Sequence, residues 1–516
     1  MLSSRAFALL VSACAAALSA CAMTAADNAS VTGARAPMAA IAPEQWVAGG
    51  ASAPGSIASD WWRDFGDPAL DGLIAEALAN NHDLRQAAAR VLGAQAEARI
   101  AGADLWPQLQ TGANGSRGRQ VFVGFPTDAF GANAPCQGGG CTPAPSGPLS
   151  STSNNFGVSL DLSWELDLWG RIRASKTAAS AEADAARIAF EGARLSLAAQ
   201  TAKAWFAFVE AREQLALALA TRDSYAQSSG LITERYERGT RSPLDVRLSL
   251  TEAAAAEARV AQRRSVLERI ARQLEVLVGR YPSAELQPTG ALLHPVTPVP
   301  AGVPAQVLVR RPDLAEAEQR VFAADRRLYA ARASMLPRLA ITGSAGSISD
   351  DVADLLDGDF AVWTIAANLV QPVFQGGRLR GAVARADAGV DAAMAAYATA
   401  ALRAFSEVEN ALADERHLAV VVAALADAAE QSAAAESLAT ERYFGGLEGY
   451  VTVLQAQRNS LEARATLLEA RRLLLETRIN LYLALGGGFT SGDVAVVAVV
   501  PEEPAPASSP LKAPSS

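Results

Sequence analysis

One segment of this chain occurs twice, and that constrains its fold more than any other feature. NNHDLRQAAARVLGAQAEARIAGADLWPQL, ending at Leu109, lines up with RRPDLAEAEQRVFAADRRLYAARASMLPRL, ending at Leu339. Asp83-Leu84 falls on Asp313-Leu314, and Trp106-Pro107 on Leu336-Pro337. Farther on, Glu234-Arg235-Tyr236 matches Glu441-Arg442-Tyr443, Gly239 matches Gly446, and the register runs on to Val278-Gly279 against Leu485-Gly486. Rare residues coincide along with the abundant alanines, so the match is a duplication and the architecture is two copies of one unit.

Each copy has the same order of elements. A helical segment ends at a proline, which cannot continue a helix. Two strand-like stretches follow, at about 107–122 and 154–168 in the first copy and 337–349 and 361–374 in the second. From Phe156 to Leu168 apolar and small or polar residues alternate strictly, with Asp161, Glu165 and Asp167 on the polar side. That pattern puts one face of a strand in an apolar medium and the other in water. The run is longer than an ordinary strand and suits a membrane barrel. Trp363, Ile365, Ala367 and Leu369 repeat it more weakly. Four strands cannot close a barrel, and an open edge cannot sit in lipid, so several chains must pool theirs; three give twelve.

The strands lead into very long helices, about 174–238 and 382–444, each roughly 95 Å at 1.5 Å per residue. Turns at 239–243 and 445–450 precede shorter helices. Pro243–Val278 with Pro312–Leu336, and Val451–Leu485 with Asp83–Leu105, sum to nearly the length of a long helix. End-to-end stacking of short helices beside each long one is therefore expected.

Residues 1–20 read as a secretory signal: one charge (Arg5), an apolar run and small residues before Cys21. Leu18-Ser19-Ala20-Cys21 resembles the bacterial lipobox, which makes Cys21 the expected lipidation site and mature N-terminus. Residues 21–60 read as a linker, 61–290 and 291–488 as the two repeats, and 489–516 as a disordered tail rich in proline and serine. Elsewhere no stretch of 18 apolar residues is evident, so strands are expected to make any membrane crossing. Cys136 and Cys141, in a Gly/Pro/Ser-rich segment, are candidates for a local disulfide rather than a metal site. A net charge of −9 gives no footprint for nucleic acid. His82, His294 and His417 are scattered, and no catalytic, cofactor or metal constellation stands out.

Strand pair, long helix and shorter helices, duplicated in an exported chain, resemble the TolC-type outer-membrane factors, in particular their lipoprotein branch. The resemblance rests on Glu165-Leu166-Asp167-Leu168-Trp169-Gly170-Arg171, Gln371-Pro372-Val373-Phe374-Gln375-Gly376-Gly377-Arg378, Glu441-Arg442-Tyr443 with Gly446, and Val453-Leu454-Gln455-Ala456-Gln457-Arg458. It implies a mainly α fold with transmembrane β: a homotrimer with a 12-stranded barrel in the outer membrane and a helical barrel in the periplasm. Such a duct docks on a periplasmic adaptor driven by an inner-membrane pump and passes small molecules; a protein-export duct or a non-conducting envelope lipoprotein remain alternatives. The two turns then form the periplasmic tip, with Gly239, Thr240, Ser242, Gly446, Glu448 and Gly449 facing the adaptor. The resemblance also implies a latch between Asp245 and Tyr443, with Arg442 adjacent. Some members carry carboxylates at the constriction; here Thr452 and Gln455 are neutral and Val451 is apolar. Weaker block by cations is expected at this ring.

Overall fold

The computed structural model describes residues 29–49, 57–123, 149–292 and 299–489. Cys21, Cys136, Cys141, His294, the signal segment and nearly all of the tail lie outside them. The helices are α1 (Ala29–Ile41), α2 (Pro68–Asn80), α3 (His82–Ala103), α4 (Arg171–Glu237), α5 (Pro243–Leu277), α6 (Pro304–Arg310), α7 (Pro312–Ala333), α8 (Arg378–Phe444) and α9 (Tyr450–Ala484). The strands are β1 (Gln108–Phe122), β2 (Leu149–Leu166), β3 (Arg338–Ser349) and β4 (Ala361–Val370). Two compact units result: one of residues 96–180 and 324–389, the other of 1–95, 181–323 and 390–516.

In the first unit the strands form one antiparallel sheet in the order β1-β2-β3-β4. Its register explains the alternation. Leu109 stands opposite Leu162, Leu160 opposite Ala345, and Ala345 opposite Trp363, so the apolar positions of all four strands share one face. Gln110, Asp161, Ser344 and Thr364 share the other. Trp363 and Ile365 are 76% and 74% exposed, a surface that water would disfavour.

Strand ends differ from the sequence reading for local reasons. β2 starts at Leu149, because its serines, threonine and asparagines pair with β1 although they do not alternate. β4 stops at Val370, short of residue 374, where Pro372 removes a ladder donor. The helix α4 starts at Arg171, since the Asp167 carboxylate accepts the N–H groups of Ile172 (3.0 Å) and Arg173 (2.9 Å). Trp169 and Tyr329 fasten the junction: the Trp169 indole donates to the Pro337 carbonyl (2.7 Å), and the Tyr329 hydroxyl donates to that of Trp169 (3.1 Å).

In the second unit a core forms around Trp61, Phe65, Trp205, Phe206, Tyr397 and Tyr482. Trp61 stacks on Tyr482 at 5.1 Å, whose hydroxyl donates to Asp64 (2.7 Å). The Trp205 indole donates to Asp67 (2.7 Å), which also caps α2.

The expected linker contains a helix instead. Gly33 and Pro37 within α1 argue against one locally, but tertiary contacts hold it. The Arg35 guanidinium makes a two-pronged ion pair with buried Glu318 (2.8 and 2.6 Å), which also accepts from the Tyr397 hydroxyl (3.3 Å). Beyond α1, the Glu409 carboxylate accepts from the N–H groups of Val47 and Ala48 (2.9 and 2.8 Å).

The end-to-end stacking occurs, but within each repeat rather than in the combinations the lengths suggested. Asn81 caps α3 and its amide donates to the Leu277 carbonyl at the end of α5 (2.9 Å). At the equivalent position of the second repeat, Arg311 donates to the Ala484 carbonyl at the end of α9 (3.0 Å) and pairs with Asp313 and Glu407. Gly279 and Gly486 complete both joints: both have positive φ, and a Cβ would lie 2.9 Å from the Asn80 carbonyl oxygen or 2.1 Å from that of Arg310.

A second correction concerns α8, which holds an 18-residue window of mean hydropathy 1.4, apolar enough to cross a membrane by length and composition. Alanine and valine with few charges produce it. Only 11% of that window is buried within the protomer, so an apolar stripe faces outward.

Glu275 gives a pH-dependent stability term. It is buried and accepts from the N–H groups of Ala284 (2.7 Å), Glu285 (2.9 Å) and Leu286 (3.2 Å). Burial pushes its pKa up, and these backbone donors outweigh it, leaving the carboxyl below its usual range. Its contribution is therefore present above the unfolded value of about 4.3 and lost as pH falls through the lower folded value. Glu275→Gln should cost about 1–3 kcal/mol at pH 7, with a smaller penalty in melting experiments below pH 4.

Candidate functional site at the paired helix turns

The two turns are built alike. Gly239 and Gly446 have φ of +74° and +77°, a left-handed conformation that suits glycine. The next N–H, of Thr240 or Leu447, reaches back to the carbonyl of Arg235 (3.0 Å) or Arg442 (2.9 Å), and the glycine N–H bonds to Tyr236 (2.8 Å) or Tyr443 (3.0 Å). Both long helices thus end in a Schellman cap. The returning helix begins at Pro243, with the Ser242 hydroxyl accepting from Leu244 N–H (3.1 Å), or at Tyr450 after Gly449.

Two arginines of the first repeat bind the end of α8 in the second. Arg241 lies 4.1 Å over the Tyr443 ring and donates to the Tyr443 carbonyl (2.6 Å). Arg235 lies 4.7 Å over Phe444 and donates to its carbonyl (3.4 Å). Each cation faces an aromatic ring and a free helix-end carbonyl together, two favourable placements for a positive charge. Tyr443 in turn packs on Tyr450 at 5.3 Å.

The expected latch is thus rearranged. Arg442 pairs with Glu448 across its own turn (3.4 Å) and not with Asp245. Asp245 lies near enough to bear on Tyr443: burial pushes that hydroxyl's pKa up, Arg241 opposes it, and the carboxylate adds to the rise. The hydroxyl nevertheless has no hydrogen-bond partner. Val451 is exposed, and the Gln455 amide donates to Asn459 (2.8 Å). Sequence reading passed over Arg241 because its partner lies about two hundred positions away; the available signal was an arginine in a turn whose duplicate is flanked by Tyr443-Phe444.

Behind the turns, buried Glu252 of α5 pairs with Arg458 of α9. Tyr225 and Tyr450 lie beside it, both with hydroxyls raised first by burial. Among the described residues no group of His, Cys, Asp and Glu has the composition to hold a metal.

The outer membrane efflux protein model matches residues 73–280 and 303–487, one stretch in each repeat. The chain belongs to that family. Its relatives include the pyoverdine export outer membrane protein OpmQ of Pseudomonas putida, 33% identical over 83% of this chain and 88% of the relative. The toluene efflux pump outer membrane protein TtgF of Pseudomonas putida is also 33% identical, over 83% and 85%. Among solved structures, the open state of the Neisseria gonorrhoeae MtrE outer membrane channel is 28% identical, covering 87% of this chain and 96% of that one with a TM-score of 0.74. This efflux protein is an outer-membrane component with the TolC-like, duplicated fold that the repeat and strand patterns pointed to.

Proposed function

We propose that three copies of this efflux protein assemble into a non-catalytic exit duct for small molecules, lipid-anchored at Cys21 and joined at its turns to a periplasmic adaptor and an inner-membrane pump. The observation that carries this reading is the sheet. One apolar face runs across all four strands, and β1 and β4 each keep an open edge, which lipid does not tolerate. Joining β4 of one copy to β1 of the next removes every edge, and three copies give twelve strands. The outward apolar stripe of α8 supports the same assembly, since a second copy can cover it. Pyoverdine and toluene are named for relatives, and small organic compounds are the cargo class proposed here.

Gly239, Thr240, Ser242, Gly446, Glu448 and Gly449, on the paired turns, are the proposed adaptor contacts. Arg241, Tyr443 and Asp245 are the proposed closing contacts, with Val451 and Gln455 at the ring beyond. The first experiment is the mass of the detergent-extracted oligomer together with planar-bilayer conductance. A trimer with small, mostly closed pores is expected; a monomer, or a trimer that never conducts even with its turn contacts removed, would favour a structural lipoprotein. For the anchor, Cys21→Ser should abolish incorporation of labelled fatty acid. Retained labelling would remove Cys21 from this role.

A further inference from the structure

Ten buried side-chain polar atoms lack a hydrogen-bond partner among the described residues, and they are not evenly spread. Those of Tyr225, Glu252, Arg259, Tyr443, Tyr450, Gln457 and Ser460 fall on helices just behind the turns. An unpartnered buried polar atom costs about 1–3 kcal/mol, so such a concentration calls for something to satisfy it. Three of them, the Tyr225 hydroxyl, the Gln457 Oε1 and the Ser460 hydroxyl, belong to residues lining a cavity of about 590 Å³ between α4, α8 and α9. All three residues are more than nine-tenths buried, at 2%, 6% and 1% exposure.

The chemistry of the walls is specific. Gln457 Oε1 can only accept, so its partner must bring an N–H or O–H. Glu436 and Glu441 line the same cavity, and neither carboxylate has an ion-pair partner among the described residues. Leu217, Leu461 and Phe444 supply apolar surface. The one cation in the lining, Arg464, lies at the other end. Counting equal distances from the α8–α9 turn, Glu441 is level with Val453, and Arg464 is 11 residues farther along α9, about 16 Å away.

From this arrangement we propose that the cavity is a binding site for a small organic cation bearing a protonated amine and an apolar body. The ammonium sits toward Glu436 and donates to Gln457 Oε1; the apolar body lies against Leu217 and Leu461. Full hydration by water would satisfy the polar atoms but leaves both carboxylates uncompensated and the leucines wet. A neutral polyol meets the hydroxyls and not the charge. The site lies among side chains of both repeats, and its existence does not depend on the chain conducting.

Calorimetric titration of the purified oligomer with phenethylammonium tests the proposal, with 2-phenylethanol and the N-trimethylated quaternary analogue as comparisons. Saturable binding of phenethylammonium is expected, at least about tenfold tighter than either analogue. Gln457→Leu and Glu436→Gln should each weaken it by about tenfold, and Ser460→Leu, which projects into the cavity, should abolish it. Variants are compared at unchanged helical content and oligomer mass. Equal binding of the alcohol, or tight binding that survives Gln457→Leu and Ser460→Leu, would overturn the proposal. Because the readout is binding, a non-conducting oligomer that binds the amine refutes the duct and leaves this site standing.

Discussion

Arg241→Ala should raise the mean single-channel conductance of the reconstituted oligomer several-fold. The side chain joins the repeats through a ring contact at 4.1 Å and a carbonyl hydrogen bond at 2.6 Å. Tyr443, its partner, is 1% exposed, so the contact is sheltered from solvent. Removing both interactions costs the closed arrangement about 2 kcal/mol, roughly a 30-fold change in the closed-to-open ratio. Asp245→Ala should have a smaller effect in the same direction, since Asp245 bears on Tyr443 without a hydrogen bond. The measurement is open probability at fixed voltage in a planar bilayer. An intact oligomer whose conductance is unmoved by Arg241→Ala would remove the paired turns from gating.

The largest expected effect on assembly is at Gly346 in β3. A Cβ there would lie 2.0 Å from the Val158 carbonyl oxygen of β2, and backbone cannot swing aside as a flexible side chain can. Gly346→Val must therefore part the β2–β3 ladder at its middle, at a cost of about 3 kcal/mol or more. Near-complete loss of assembled oligomer from outer-membrane fractions is expected. Gly118→Val in β1 is the control, because the space around that position is open. If the Gly346 variant assembles as well as the Gly118 one, the tight β2–β3 register is not a requirement.

The sheet was legible because period-two alternation survives wherever one face meets an apolar medium. Its ends were not, since Ser150 and Thr152 join β2 through ladder bonds to β1 that no alternation announces. Long helices were legible from the lack of breakers, yet α1 was hidden: Gly33 and Pro37 obscure it, and Arg35–Glu318 holds it over 283 positions. At the turns, glycines and the Ser-Pro start announced the caps, whereas the arginine–aromatic contacts needed two remote segments brought side by side. Asp245 and Tyr443 were placed near each other, but the cation between the repeats is Arg241 and not Arg442.

The joints at Asn81 and Arg311 carry an implication about origin. Each closes a helix against another of its own half: α5 onto α3, and α9 onto α7. A half-length ancestor would already have owned a complete joint, a strand pair and a capped turn, and six such chains would have supplied the same twelve strands. Fusion then freed the halves to diverge, so that a neutral amide now serves on one side and a guanidinium with two carboxylates on the other. A ring of six equal parts became one of three unequal pairs, and every partner that docks on it meets two kinds of seat in alternation.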